Sequence, residues 1–150
     1  MDFQTCLNRL QRLCSRAEYC RQDLYRKALK DLEGDADAAA RVVESLVQDR
    51  YADDARYAAF FARDKAALQG WGPVKIRFQL RAKGIPEEVI AAALQEVDAQ
   101  KAGEKLDRLV SAKARTLDGD PCKRLKLIKF ALGRGYDYEA VEKAVEKALK

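Results

Sequence analysis

A pattern that returns after 51 residues, from Gly84 to Gly135, is the sequence feature that most constrains this fold. The stretches Leu80–Leu94 and Ala131–Val145 share it. In each, a basic helix is predicted to end at the glycine, because glycine adopts the left-handed C-terminal conformation at least cost. A large apolar residue follows, and then a helix with acidic residues near its start. A weaker copy occupies Ser15–Gln48, so we interpret the chain as three related units.

Each unit is predicted to contain three helices, which gives nine helices in an all-α chain without strands. The opening helices are predicted at Gln4–Cys14, Asp54–Leu68 and Gln100–Leu117, and in the first unit Ser15–Leu32 and Asp35–Gln48 follow. Breaks are predicted at Gly34, Gly70–Pro73, Gly84, Asp118–Pro121 and Gly135. We therefore expect units at residues 1–52, 53–98 and 99–150.

Composition agrees with helices and excludes several chemistries. Apolar residues make up 48% of the chain and charged residues 35%, with only 3 prolines, so a helical core is favoured over strands and over disorder. Because the chain contains no histidine, a histidine base, a Ser-His triad and a His-ligated metal are excluded. The net charge of +5 favours polyanionic partners only weakly.

The four cysteines, Cys6, Cys14, Cys20 and Cys122, form no Cys-x-x-Cys pair. This spacing does not support a zinc ribbon or a thioredoxin-like site, and we expect reduced thiols that mostly pack as small hydrophobic groups. The sequence has no apolar run long enough to span a membrane, and charged residues interrupt any signal-peptide pattern. The expected location is the cytoplasm.

The segment GWGPVKIRFQLRAKGIP, residues 70–86, admits four interpretations: a phosphate-binding loop, a nucleic-acid contact, a partner surface, or a turn and a helix. A phosphate-binding loop needs a preceding strand, further glycines and a Lys-Ser/Thr pair, and Pro73 removes a backbone donor. We therefore predict a turn at Gly70–Pro73 and a helix that begins at Pro73.

Basic residues recur in the middle helices of the second and third units. Gly70–Gly84 carries four basic residues and no acidic one, and Gly119–Gly135 carries five basic residues and one acidic one. The helix dipole explains bases in last turns, but several of these lie in the first halves of their helices. The strip is either a solvated face or a surface for an acidic filament or DNA. The predicted contact residues are Lys75, Arg77, Phe78, Arg81, Lys83, Lys123, Arg124, Lys126 and Lys129.

The predicted helix after Pro73 is apolar on two sides. Ile76 and Leu80 share one face and are expected to point to the core. Val74 and Phe78 lie nearly opposite, so the helix either lies between two units or presents Phe78 outward. We predict that Val74 packs against a neighbouring unit. Phe78 and Trp71 are candidate partner anchors, since aromatic residues and arginines are frequent interface hot spots.

Asp53 and Asp54 are candidates either for a pair of catalytic or metal-binding carboxylates or for a helix cap. Capping is favoured, because the chain offers no histidine and no second acidic cluster in register. The helix that they cap, Asp54–Leu68, is predicted to bury one stripe of side chains. Its members are Tyr57, Phe60, Phe61 and Leu68.

A DNA-binding helix-turn-helix is a weaker interpretation of the second unit. Its recognition helix would be Pro73–Lys83 or Pro86–Val97. Glutamine and asparagine, which read base edges, are nearly absent from the candidate face, and Glu87 and Glu88 would meet phosphates.

An ordered set of motifs supports a more specific interpretation. The first unit contains LCSRAEYCRQDLYRKAL (Leu13–Leu29). The second contains Asp53-Asp54, Arg56-Tyr57-Ala58, Phe61, Arg63, Gly70-Trp71-Gly72-Pro73, Ile76, Leu80 and Lys83-Gly84-Ile85. This order and spacing resemble the RecX family of bacterial recombinase regulators over about Leu7–Leu94, and the third unit is similar mainly in architecture. Phe78, Gln79 and Asp23 depart from residues that are usual in the family.

The resemblance implies a non-enzymatic, all-helical protein of three tandem three-helix units in an elongated, curved array. Proteins of this family bind RecA recombinase filaments on single-stranded DNA, usually inhibit ATP hydrolysis and strand exchange, and in some cases contact DNA directly. We therefore expect a RecA filament as partner, a role in DNA repair and the SOS response, no cofactor and a monomer. The alternative is a general nucleic-acid-binding helical protein without a recombinase partner.

Overall fold

Nine α-helices and no strands make up the computed structural model, which describes residues 1–150. The first group of helices is α1 (Phe3–Arg16), α2 (Arg21–Asp31) and α3 (Ala36–Gln48); the second is α4 (Asp54–Ala67), α5 (Pro73–Ala82) and α6 (Glu87–Gln95); the third is α7 (Ala99–Arg115), α8 (Lys123–Gly133) and α9 (Tyr138–Ala148). The predicted all-α class is confirmed. None of the nine helices has both the length and the apolar character needed to cross a bilayer.

Aspartate caps set the start of five helices. The N-cap residues Asp2, Asp35, Asp53, Asp98 and Asp137 each accept hydrogen bonds from backbone N–H groups of the first turn. These donors have no partner inside the helix, so a carboxylate at the N-cap stabilises the helix start. Asp53 accepts from the N–H of Ala55 at 2.9 Å, which confirms capping at the predicted aspartate pair.

Glycines in the left-handed region end the middle helix of each group. Gly34, Gly84 and Gly135 follow α2, α5 and α8 with φ angles of 87°, 76° and 93°. Their equivalent positions confirm the predicted repeat, since each allows the chain to turn directly into the last helix of its group. Gly70 and Gly119 also have positive φ, so every predicted break is present.

Each group has an apolar core of its own. The fully buried side chains at the centres are Leu10, Leu24 and Leu46 in the first group, Ile76, Leu80 and Ile90 in the second, and Leu127, Val141 and Val145 in the third. Cys20 belongs to the first group in sequence, since it directly precedes α2, but its side chain is buried in the core of the second group. The division of the chain at residues 52 and 98 stays a prediction.

Two details of the predicted helices are wrong. Ser15–Leu32 is not one helix: α1 continues to Arg16, and the backbone is extended at Ala17 and Cys20, which takes the Cys20 thiol into the second core. The stripe predicted on α4 is only partly buried, since Phe60 and Leu68 are 52% and 73% exposed. The buried residues of α4 are Tyr57, Ala58 and Ala62. Neighbouring helices therefore pack against a face of α4 to which Phe60 and Leu68 do not belong.

Every hydrogen bond and ion pair between groups joins consecutive groups. The first and second groups meet through polar contacts, including Lys83 with Asp23 and Arg56 with Glu18. The second and third groups meet through the turn that precedes α5 and the turn that follows α8. The three groups therefore lie in series, and the middle group contacts both others.

Candidate functional site

The turn Gly70–Pro73 joins α5 to the third group. The N–H of Gly72 donates to the carbonyl of Arg134 at 2.8 Å, and the N–H of Val74 donates to the carbonyl of Gly135 at 2.8 Å. Such N–H groups at a helix start are the donors that an anion would use. Because carbonyls of the α8–α9 turn already occupy them, this turn does not bind phosphate.

The two turns approach so closely that both need glycine. A Cβ on Gly72 would overlap the backbone of Gly135, and a Cβ on Gly135 would overlap Lys75. The hydroxyl of Tyr136 donates to the carbonyl of Gly70 at 3.1 Å in the same buried contact. Main-chain contacts therefore fix the position of α5 relative to the third group.

The outward face of α5 carries exposed apolar side chains. Phe78 is 68% exposed and Val74 is 53% exposed. The prediction that Val74 packs against a neighbouring unit is wrong for its side chain. The third group contacts the backbone of Val74 instead, where the Gly135 carbonyl accepts a hydrogen bond from the Val74 N–H. Of the two predicted orientations of Phe78, the outward one is found.

Trp71 is half-buried beside the core of the second group. Its ring meets Phe61 edge-on, with centroids 6.1 Å apart. The ammonium groups of Lys65 and Lys75 lie 4.9 Å and 4.5 Å from its ring centre, within reach of a cation–π interaction. Trp71 therefore has a structural role and directs the Lys75 side chain.

Most of the basic residues of α5 have acidic partners. Arg77 and Arg81 both pair with Glu87 at the start of α6, and the Arg81 guanidinium lies 2.9 Å from that carboxylate. The ammonium of Lys83 lies 2.9 Å from Asp23 of the first group. These pairs reduce the net charge of the face and hold both arginines on the side of α5 that faces Glu87, next to the exposed Phe78.

The α8 helix combines paired and unpaired cations. Lys123 pairs with Asp118 at 3.2 Å, and Lys126 pairs with Asp120 at 2.6 Å. The hydrogen bond between Lys126 and Asp120 raises the pKa of the ammonium and lowers that of the carboxyl. The helix also exposes residues without an acidic partner: Arg124 and Lys129 form no ion pair, and Leu125 is 70% exposed.

Eight of the nine predicted contact residues lie on α5 and α8, and the ninth, Lys83, is the C-cap residue of α5. Lys75 lies next to the α8–α9 turn, since its N–H is 3.4 Å from the carbonyl of Gly135. Lys123 begins α8, about 15 Å along the axis from its last residue, Gly133, at ~1.5 Å per residue. The structure therefore brings the C-terminal end of α8 to α5 and leaves Lys123 and Arg124 at the far end.

Sequence reasoning missed that these cations would find partners inside the molecule. The sequence did contain a signal for the Glu87 pairs. The charged residues of Gly70–Gly84 are all basic, and those of the next segment, Ile85–Ala99, are all acidic. Two such helices joined by a short turn pack side by side and pair their charges. No local signal predicts the pair between Lys83 and Asp23, which are 60 positions apart.

The buried titratable groups are held in their neutral forms. Burial raises the pKa of the Cys6, Cys14 and Cys20 thiols, and it raises the pKa of Tyr57 to about 12. Protonated thiols are poor nucleophiles and poor metal ligands. No three histidine, cysteine, aspartate or glutamate side chains lie close enough together to hold a metal ion.

Comparison with known proteins gives one consistent result. The family model described as RecX, second three-helix domain, matches residues 53–94. A regulatory protein RecX of Chromohalobacter salexigens is 34% identical over 144 residues, which cover 91% of this chain and 88% of the relative. A regulatory protein RecX of Clostridium botulinum is 32% identical over 121 residues, and the aligned part is 77% of this chain but only 55% of that relative.

A solved structure shows the same fold. The crystal structure of RecX from Lactobacillus salivarius superposes with a TM-score of 0.84 at 21% identity, and the match covers 97% of this chain and 96% of that one. At this level of identity the similarity concerns the arrangement of the helices. It supports the serial three-group architecture described above.

Proposed function

This chain belongs to the RecX family, and from that membership we propose that it regulates a RecA recombinase by binding the RecA filament on single-stranded DNA. In this proposal the bound protein lowers ATP hydrolysis and strand exchange, and so limits recombinational repair and the SOS response. It acts in the cytoplasm as a monomer and by binding rather than by catalysis.

The exposed Phe78 beside two tethered arginines is the observation that carries the proposed contact surface. An exposed aromatic ring beside Arg77 and Arg81 has the composition of an interface hot spot. Neither α5 nor α8 contains an acidic residue, which favours an acidic partner surface. The proposed contact residues are Lys75, Arg77, Phe78, Arg81, Lys83, Lys123, Arg124, Lys126 and Lys129.

Within this surface the residues have different proposed roles. Arg124 and Lys129 have no acidic partner, so their charges are available to the filament without breaking an ion pair. Arg77 and Arg81 stay paired with Glu87 and lie on one side of Phe78. Lys83 contributes by holding α5 against the first group, because its ammonium forms an ion pair with Asp23.

The test is ATP hydrolysis by the cognate RecA on single-stranded DNA, measured while this protein is added. The wild-type protein is expected to inhibit. The variants Phe78→Ala and Arg124→Glu/Lys129→Glu are expected to need about tenfold more protein for the same inhibition, since a hot-spot side chain contributes ~1 kcal/mol or more. The matched control is Arg41→Glu/Arg115→Glu, which makes the same charge change at exposed positions on α3 and α7.

Two outcomes would contradict the proposal in different ways. Absence of inhibition by the wild-type protein would contradict the regulatory function. Equal inhibition by the surface variants and the control would contradict the assigned surface. Binding to DNA that ignores the recombinase and disappears at modest salt would favour the general nucleic-acid-binding alternative.

A further inference from the structure

A concavity at the junction of the first and second groups lies outside the surface proposed above. It has a volume of about 490 Å³, and it lies between the end of α1, the turn after α3 and the outer face of α4. Its lining residues are Cys14, Ser15, Arg16, Ala17, Glu18, Arg50, Tyr51, Arg56 and Phe60. Three arginines and two aromatic rings therefore share one surface depression.

Both aromatic rings of the concavity are exposed to solvent. Phe60 is 52% exposed and Tyr51 is 36% exposed. On the same helix as Phe60, the neighbouring aromatic residues Tyr57 and Phe61 pack in or against the core of the second group. Phe60 and Tyr51 do not belong to any of the three cores, so both rings remain accessible to a ligand at this place.

The turn that carries Tyr51 is held in a fixed position. The guanidinium of Arg56 donates to the carbonyls of Arg50 and Tyr51 at 3.3 Å and 3.2 Å, and its Nε donates to Glu18 at 3.0 Å. Arg50 has a φ of 62°, a left-handed conformation that is uncommon for a residue with a side chain. This is the conformation that ends α3, where the N–H of Tyr51 donates to the carbonyl of Leu46 at 2.9 Å. The end of α3 and the contacts from α4 together hold Arg50 and Tyr51 at the concavity.

The side chains that line the concavity carry a net positive charge, although Asp53 and Asp54 lie beside Arg50 and Arg56 in the adjoining depression. Glu18 is its only acidic residue, and Arg56 already pairs with it. Arg16 and Arg50 are exposed and take part in none of the ion pairs of the structure. Their guanidinium groups are therefore free to contact an anionic ligand.

We propose that this concavity binds single-stranded DNA. Bases would stack on the exposed faces of Phe60 and Tyr51, and phosphates would pair with Arg16 and Arg50. Exposed aromatic rings with neighbouring cations are the combination that binds single strands without sequence preference, because every base has a π-face. Duplex DNA fits less well, since its bases are stacked on each other. The choice of DNA over RNA rests on the proposed function, in which the filament is assembled on single-stranded DNA.

Fluorescence anisotropy of a labelled oligothymidylate tests the stacking contacts. The full chain is titrated in the absence of recombinase at about 50 mM salt, where phosphate contacts are strong. The wild-type protein is expected to bind, and Phe60→Ala and Tyr51→Ala are each expected to weaken binding about tenfold, as for the loss of one stacked base. Phe60→Tyr and Tyr51→Phe keep a ring and are expected to retain wild-type affinity.

A matched control separates stacking from a general effect of removing a surface aromatic. Tyr138 on α9 is 57% exposed and lies in the third group, so Tyr138→Ala is expected to leave DNA binding unchanged. Because all three aromatic residues are exposed, the alanine variants are expected to melt within a few degrees of wild type. Arg16→Gln and Arg50→Gln are each expected to reduce the slope of log affinity against log salt by about one.

Several results would overturn this inference. They are absence of binding to oligothymidylate by the wild-type protein, unchanged binding by Phe60→Ala, and equal weakening by Tyr138→Ala. Tighter binding of oligouridylate or of a duplex than of oligothymidylate would overturn the choice of ligand. Failure here is distinguishable from failure of the proposed function, because this assay contains no recombinase and the ATPase assay uses variants on α5 and α8.

Discussion

The ammonium of Lys83 lies 2.9 Å from a carboxylate oxygen of Asp23, a residue 60 positions earlier in the chain. Lys83 is the C-cap residue of α5, and Asp23 is in the first turn of α2. The pair therefore joins the second group to the first. It lies beside Cys20, the residue that the first group contributes to the core of the second.

Both junctions attach the start of a middle helix to the following group. At the first junction the N–H of Arg21, in the first turn of α2, donates to Asp54 of the second group at 2.9 Å. At the second junction the start of α5 donates to the carbonyl of Gly135 in the third group. At the start of α8 the corresponding contact is local, since Asp120 accepts a hydrogen bond from the N–H of Cys122 at 2.8 Å.

Removal of the charge at Lys83 is predicted to weaken the first junction. Lys83→Met and Asp23→Asn are each expected to lower the free energy of unfolding by ~1 kcal/mol, because the pair is partly exposed and screened by solvent. Urea unfolding of the single and double variants gives the coupling energy. A coupling of zero, or one that does not decrease in high salt, would contradict a stabilising ion pair.

Substitution of Gly135 is predicted to disrupt the second junction. Gly135→Ala is expected to destabilise the protein by ~3 kcal/mol, since it adds an overlap with Lys75 to the ~1 kcal/mol or more of a left-handed alanine. Gly34→Ala is the control, because Gly34 has a similar φ and no atom within 4 Å of the added Cβ. Equal melting temperatures for the two variants would show that the close approach of the two turns contributes nothing to stability.

Stability is predicted to fall at alkaline pH because of Tyr57. Burial raises its pKa to about 12 in the folded chain, from 10.0 in an exposed tyrosine. Between these values the unfolded state loses the proton and the folded state keeps it, so stability is fully present below pH 10 and decreases as the pH rises toward 12. The expected loss is about 2 kcal/mol.

Tyr57→Phe is the control for this alkaline effect. It keeps the ring in the core, so its stability near neutral pH is expected to stay within about 1 kcal/mol of wild type. Denaturant unfolding at pH 9 and pH 11.5 should show a smaller alkaline decrease in the variant. The same decrease in both proteins would assign the effect to other groups.

Thiol reactivity is predicted to separate Cys122 from the other cysteines. Cys122 is exposed, whereas Cys6 and Cys20 are fully buried and their thiols have raised pKa values. Ellman's reagent is expected to modify Cys122 first and the buried thiols only on unfolding. Cys122→Ser should remove the fast phase. Because Cys14 is only half-buried, a fast phase that persists in Cys14→Ser/Cys122→Ser would contradict the burial of Cys6 and Cys20.

Local features of the sequence predicted most of the helical framework. Gly84 and Gly135 ended their helices as expected, and Asp53 capped α4, because both effects depend on backbone groups within a few residues. The exposure of Phe78 was one of two open alternatives. The exposure of Phe60 and of the Val74 side chain was not predicted, since helical periodicity identifies apolar faces without identifying what covers them.

The sequence by itself determined the nine helices, their repeat and their main ends, since neighbouring residues set helix caps, glycine turns and apolar periodicity. Only the tertiary structure decided which charges pair and which apolar side chains remain exposed. The contacts of Lys83 with Asp23 and of Gly72 with Gly135 join residues about 60 positions apart. Such contacts depend on how whole groups of helices pack, and no local pattern encodes their geometry.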